Sequence, residues 1–120
     1  MAVNYKCILA YGLSNEQIDK IKKRRIRMKI VTNNEGGMKI KDLLNNNTEE
    51  NKNYEELPQN EKAIIFNGYN DKELRSEIKF IRSFVDGGVL AVVTEQSEGW
   101  TFKYLVEHLI EEREFYKSQK

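Results

Sequence analysis

The sequence predicts an α/β fold: a small four-stranded parallel sheet in the order 2-1-3-4, with helices on both faces. Three observations lead there. Two short apolar runs, residues 6–11 (KCILAY) and 62–67 (KAIIFN), each end at a glycine. Each glycine opens a helix-capping signature, and the succession of run, helix, run, helix occurs twice. Continuous apolar runs of this length suit strands covered on both faces, which is the habit of parallel sheets.

The first run leads into Leu13-Ser14-Asn15-Glu16-Gln17-Ile18. Ser14 is placed to cap a helix and Gln17 to reach back to it, with Leu13 meeting Ile18 as a hydrophobic staple. That helix turns Ile18 and Ile21 inward and ends among cations, which favour the negative end of its dipole. Residues 28–32 (MKIVT) form strand two. Ile40, Leu43 and Leu44 then give a short helix that stops at Asn45-Asn46-Asn47. Residues 45–60 are polar and acidic, a surface loop or linker with Leu57-Pro58 as its anchor.

The second half repeats the pattern. Strand three ends at Gly68, and Asn70 with Glu73 makes the second capping box, stapled by Tyr69 and Leu74. Leu74, Ile78, Ile81 and Val85 mark the inward face of the third helix. Asp86-Gly87-Gly88 ends it, and residues 89–94 form strand four. Phe102, Leu105, Val106, Leu109 and Ile110 then lie on one face of a last helix that runs on, charged, to Phe115 and Tyr116.

Shifting residues 6–18 by 56 positions lays Gly12 on Gly68, Ser14 on Asn70 and Gln17 on Glu73. A shift of 62 lays Val31-Thr32 on Val93-Thr94, Gly37 on Gly99, Met38 on Trp100 and Leu43 on Leu105. The chain therefore reads as one domain, residues 1–120, with an internal repeat over 5–44 and 61–110. Right-handed crossovers in a parallel sheet of order 2-1-3-4 place helices one and four on one face and helices two and three on the other. This is a flavodoxin-like arrangement lacking the fifth strand. A ferredoxin-like sheet with antiparallel neighbours is the alternative, disfavoured because helices or a long loop, not hairpin turns, separate the strands.

Function is far less legible. Apolar residues make up 39% and charged residues 32% of the 120, the composition of a water-soluble globular domain. No stretch approaches a membrane span, and the beginning lacks the charged region and cleavage site of a signal peptide. The single cysteine, Cys7, lies in an apolar run, so a reducing, cytoplasmic setting is expected. There is no P-loop, dinucleotide fingerprint, zinc-protease motif, nucleophile elbow or paired cysteine. No catalytic residue, metal site or cofactor is expected: His108 reads as a structural residue of the last helix, and Glu111, Glu112 and Glu114 as a solvated helix end.

Three functional candidates remain. The first is a non-enzymatic interaction or self-association module using the last helix, whose aromatic end outruns the sheet. The second is a small anionic ligand, a nucleotide or phosphorylated metabolite, held beyond the carboxyl ends of strands one and three. Tyr11, Gly12, Ser14, Asn67, Gly68 and Asn70 would line that crevice, with Thr32 and Thr94 at its outer ends. The third is nucleic acid, bound by the cluster Lys20, Lys22, Lys23, Arg24, Arg25 and Arg27. Net charge is +6 over residues 1–48 and −4 over 49–61, so the acidic stretch is a rival partner for that cluster. Trp100, at the bend before the last helix, is expected to plug the end of the core.

Residues 63–112 resemble a small bacterial family known only as domain of unknown function 3783. The likeness lies in the strand ending near Gly68, the capped helix with Leu74, Ala91-Val92-Val93-Thr94, the spaced Trp100, Leu105, and Glu111-Glu112. The family pattern often has histidine after the acidic residue, where this chain has Arg113. The resemblance implies a bacterial cytoplasmic protein, the first half being a diverged copy, and implies no activity.

Overall fold

The computed structural model describes residues 6–45 and 53–118. Four strands, β1 (Cys7–Tyr11), β2 (Met28–Ile30), β3 (Ala63–Asn67) and β4 (Val89–Val92), form one sheet in the predicted order β2-β1-β3-β4. Helices α1 (Asn15–Lys22), α2 (Ile40–Leu44), α3 (Asp71–Arg82) and α4 (Phe102–Ser118) accompany them.

The direction of β3 corrects the all-parallel expectation. β1 pairs parallel with β2 and β3 parallel with β4, but the central pair β1 and β3 is antiparallel, from Cys7 opposite Asn67 to Tyr11 opposite Ala63. The length of α2 explains why. Its five residues span about 7.5 Å at 1.5 Å each, against about 17 Å for a five-residue strand, so it cannot carry the chain back across the sheet. Residues 53–62 instead lie at the end where β1 finishes. Leu57 enters the core, its amide held by the Asn33 side chain (2.9 Å), and the Tyr11 hydroxyl donates to the Pro58 carbonyl (2.7 Å). The chain then enters β3 beside Gly12 and runs the opposite way.

Reversing β3 also redistributes the helices. Two crossovers of the same hand now put α1 and α3 on one face and α2 and α4 on the other, in place of the expected pairs. Ile8, Ala10, Ile64 and Phe66 pack with Ile21 of α1 and Ile81 of α3. Cys7, Leu9, Ala63 and Ile65 pack with Ile40 and Leu43 of α2 and with Phe102, Leu105 and Val106 of α4. Alternation along the strands splits the core in two, and the central strand β3 is buried throughout.

The pairing has a regular symmetry. Leu9 faces Ile65, 56 positions on, and the pairs Cys7–Asn67 and Tyr11–Ala63 exchange under the same shift. Lys39 bridges Thr101, 62 positions on. Beside that bridge the Ile40 amide donates to the Trp100 carbonyl and the Phe102 amide to the Met38 carbonyl, both at 2.9 Å. The central pairing and the bridge thus fall on residues related by the two sequence shifts. Both predicted capping boxes form: Ser14 accepts from the Gln17 amide and Asn70 from the Glu73 amide, and each third-residue side chain reaches back.

Candidate functional site

The antiparallel centre separates the predicted ligand crevice into two halves. Tyr11, Gly12, Ser14 and Thr32 gather at one end of the sheet, and Asn67, Gly68, Asn70 and Thr94 at the other, a strand length apart. The two glycine loops therefore share no crevice, which corrects the predicted site. Each loop has a local task. Gly12 sits at φ +81° against the backbone of Glu61 and Lys62, and a Cβ there would lie 2.2 Å from the Glu61 carbonyl oxygen. Gly68 makes the matching turn at φ +83°. Asn67 is buried, and Thr94 exchanges hydrogen bonds with Ser97.

The basic cluster divides. Lys20 and Arg24 turn onto α3, Lys20 over the Phe84 ring (5.1 Å) and Arg24 over Phe80 (4.3 Å), where Arg24 also donates to Glu77 (2.6 Å). These contacts clamp α1 to α3, and the aromatic partners come from more than 50 positions away in sequence. Lys22, Lys23, Arg25 and Arg27 are exposed around the tip where α1 ends. The described part of the acidic stretch does not cover them: it lies on the other side of the molecule, where Glu61 takes a two-pronged ion pair from Arg113 of α4 (2.7 and 3.0 Å). A groove of about 520 Å³ beside the tip is lined by Lys6, Arg24, Arg25, Arg27, Tyr69 and Glu77. Opposite charges meet in it, Lys6 with the adjoining Glu73 and Arg24 with Glu77, while Arg25 and Arg27 leave its lining net positive.

The last helix carries the most distinctive surface. Its inner face buries Phe102, Leu105 and Val106, with Leu109 and Ile110 half-buried, as the periodicity predicts. The corner of the core is sealed by the fully buried Phe102; Trp100 lies at its rim, in place of the expected plug. The Trp100 ring meets Tyr104 edge-on (4.9 Å) and His108 edge-on (5.3 Å), while Tyr104 and His108 stack. This ladder at i, i+4 and i+8 continues down the outer face to Phe115, which is 60% exposed beside Tyr116 at 67%. Sequence reasoning registered the two ends and missed the middle, although the four-residue spacing signals one helical face.

Residues 111–118 lie past the part of the sheet that covers the helix, and only Arg113, tied to Glu61, keeps a half-buried side chain there. His108, Glu111, Glu112, Phe115 and Tyr116 line a shallow concavity of about 340 Å³. Exposed Glu107, Glu111 and Glu112 make this end acidic, while Glu114 is offset by Arg113 and Lys117. Carboxylates interleaved with ring faces are the chemistry that receives ammonium or guanidinium groups.

The displaced pKa values have structural causes. Burial pushes the Cys7 thiol up, as befits an inert core residue. Burial likewise pushes the Tyr69 hydroxyl up to about 12, helped by Glu77, and raises that of Tyr11. The Arg113 guanidinium holds the Glu61 carboxyl below the usual carboxylate range, and Lys6 does so for Glu73. Among the described residues no cluster of three or more metal-ligating side chains occurs, and no helix is long and apolar enough to cross a membrane.

Residues 62–116 match the family described as "Domain of unknown function (DUF3783)". Neither the curated proteins nor the solved structures hold a match to the chain. The matched segment contains β3, α3, β4 and nearly all of α4, so the exposed aromatic face lies within it.

Proposed function

We propose that this protein, which matches DUF3783 over residues 62–116, is a non-enzymatic, self-associating interaction module that docks through the outer face of α4. The carrying observation is the run of Tyr104, His108 and Phe115 along the outer face of a 17-residue helix whose end outruns its sheet, which leaves Tyr116 exposed as well. Large rings left in water at the projecting end of an element are costly in isolation and are the usual material of binding hot spots. Helix, aromatic face and acidic rim together make a surface for a second polypeptide. A buried free thiol agrees with a cytoplasmic setting.

The first half is read as a second, diverged copy of the same unit. The symmetric bonds of Lys39–Thr101 and Leu9–Ile65, together with the matched capping boxes, support a fusion of two βαβα units. Only the second copy kept a long last helix, five residues in α2 standing against 17 in α4.

Light scattering after size-exclusion chromatography tests the docking reading. The full chain should show a mass that rises with concentration over about 1–500 μM, a range that spans weak and standard interfaces. Exchanging Phe115 and Tyr116 for serine should abolish that rise and leave the circular dichroism unchanged, because both rings are outside the core. A chain monomeric throughout the range overturns self-association.

A further inference from the structure

We infer that the acidic, aromatic end of α4 receives the basic tip of a second copy, so that the protein associates head to tail. This rests on the docking reading above and names its occupant. The two surfaces lie at opposite corners of one molecule. The tip formed by Lys22, Lys23 and Arg25 belongs to the α1/α3 face, at the end where β1 and β2 begin. The α4 end belongs to the other face, beside Glu61 at the start of β3, where β1 finishes. With the sheet between them and its length separating them, they cannot meet within one chain.

The two surfaces match in chemistry. Lys22, Lys23 and Arg25 are exposed, and Glu61, the last residue of the acidic stretch, is engaged by Arg113 on the other side of the molecule. Arg25 sits in the left-handed region at φ +59°, which swings the chain outward after α1. On the receiving side, Glu111 and Glu112 flank Phe115 and Tyr116 in one concavity. A cation entering it meets carboxylates and ring faces together. The molecule sets a cation over a ring three times internally, at Arg24–Phe80, Lys20–Phe84 and Lys6–Tyr69, and in the first and last a carboxylate joins them. A contact between two different patches builds a ring or an open filament according to whether its rotation closes. With the two patches at opposite corners the copies string into an open chain, which always leaves one basic tip and one acidic end free. Mass should therefore rise with concentration without settling at a dimer.

A reciprocal charge exchange in the full chain is the test. Lys22→Glu with Lys23→Glu reverses the tip, and Glu111→Lys with Glu112→Lys reverses the receiving end. Each double variant alone places like charges in the contact and should associate at least about tenfold more weakly than the native chain at 50 mM salt. Mixed in equal amounts, the two should regain the lost mass, because each offers what the other lacks, and 500 mM salt should abolish the gain. A mixture no heavier than its components overturns the head-to-tail contact. So does a tip variant that associates like the native chain; if the Phe115/Tyr116 serine variant is then still monomeric, the α4 docking reading survives with a different occupant. A native chain monomeric at every concentration removes both. Fluorescence anisotropy with a single-stranded RNA provides the remaining arm: RNA binding lost in the tip variant, with no self-association to restore, assigns the tip to nucleic acid and overturns the inference.

Discussion

Gly12 lies against the backbone of Glu61 and Lys62 only because β3 runs antiparallel to β1, so replacing it with alanine interrogates the central pairing directly. Two penalties coincide there. At φ +81° a side chain costs about 1–2 kcal/mol for the left-handed backbone alone. A methyl group 2.2 Å from the Glu61 carbonyl oxygen must also push backbone aside, an overpacking cost of about 1–3 kcal/mol. Two other glycines separate these penalties. Gly87 has φ +70° and nothing within 4 Å of its Cβ position, so Gly87→Ala carries the strain alone, about 1 kcal/mol. Gly36 has φ −61° and a Cβ position 2.3 Å from the Glu55 carbonyl oxygen, so Gly36→Ala carries the collision alone, about 2 kcal/mol. Gly12→Ala should therefore cost about 3 kcal/mol, a large share of the stability of a domain this size. Urea denaturation followed by circular dichroism, with slopes compared to confirm a common unfolded state, measures all three. A Gly12→Ala variant no less stable than Gly87→Ala would mean that nothing crowds Gly12, and the antiparallel seam would have to be abandoned.

Two further predictions concern the segment that redirects the chain. Leu57 is the buried residue of an otherwise polar stretch, and Leu57→Ala should destabilise by about 2–4 kcal/mol; a loss under about 1 kcal/mol in the same denaturation assay would show that the stretch is not part of the core. Glu61→Gln removes the charge facing Arg113 and should cost about 1 kcal/mol at pH 7, discounted for the partly exposed setting. Because the folded Glu61 carboxyl is held below its ordinary value, that contribution is complete above about pH 4.3 and fades as pH falls through the folded value. The stabilities of variant and native chain should converge in acid, and a gap that persists there would refute the ion-pair origin.

Local grammar was legible in the sequence. Both capping boxes and the inward stripes of α3 and α4 follow from spacing that each segment carries within itself, and the strand order from the repeat between the two halves. The direction of β3 was not, because helix–strand alternation reads the same whichever way the second unit is turned. The deciding quantity, the reach of a five-residue α2, was present but acts only through geometry in three dimensions. That one reversal moved Gly68 and Asn70 away from Gly12 and Ser14 and dissolved the predicted crevice. The cations at the end of α1 fared similarly: Phe80 on α3 and Phe84 just past its end are unremarkable until the fold sets Arg24 and Lys20 over them. The aromatic ladder of α4 is the opposite case, written at four-residue spacing in the chain.

The seam between β1 and β3 also governs the order in which the molecule assembles. Within each half, paired strands are about 20–26 positions apart, whereas the seam joins residues about 52–60 positions apart. Closing the longer loop carries the greater entropic cost, so each half acquires its own strand pair and helix before the two meet. Until they meet, β1 and β3 each present an apolar, unbonded edge. The interval between forming the halves and joining them is thus when this chain is most open to pairing with a strand that is not its own.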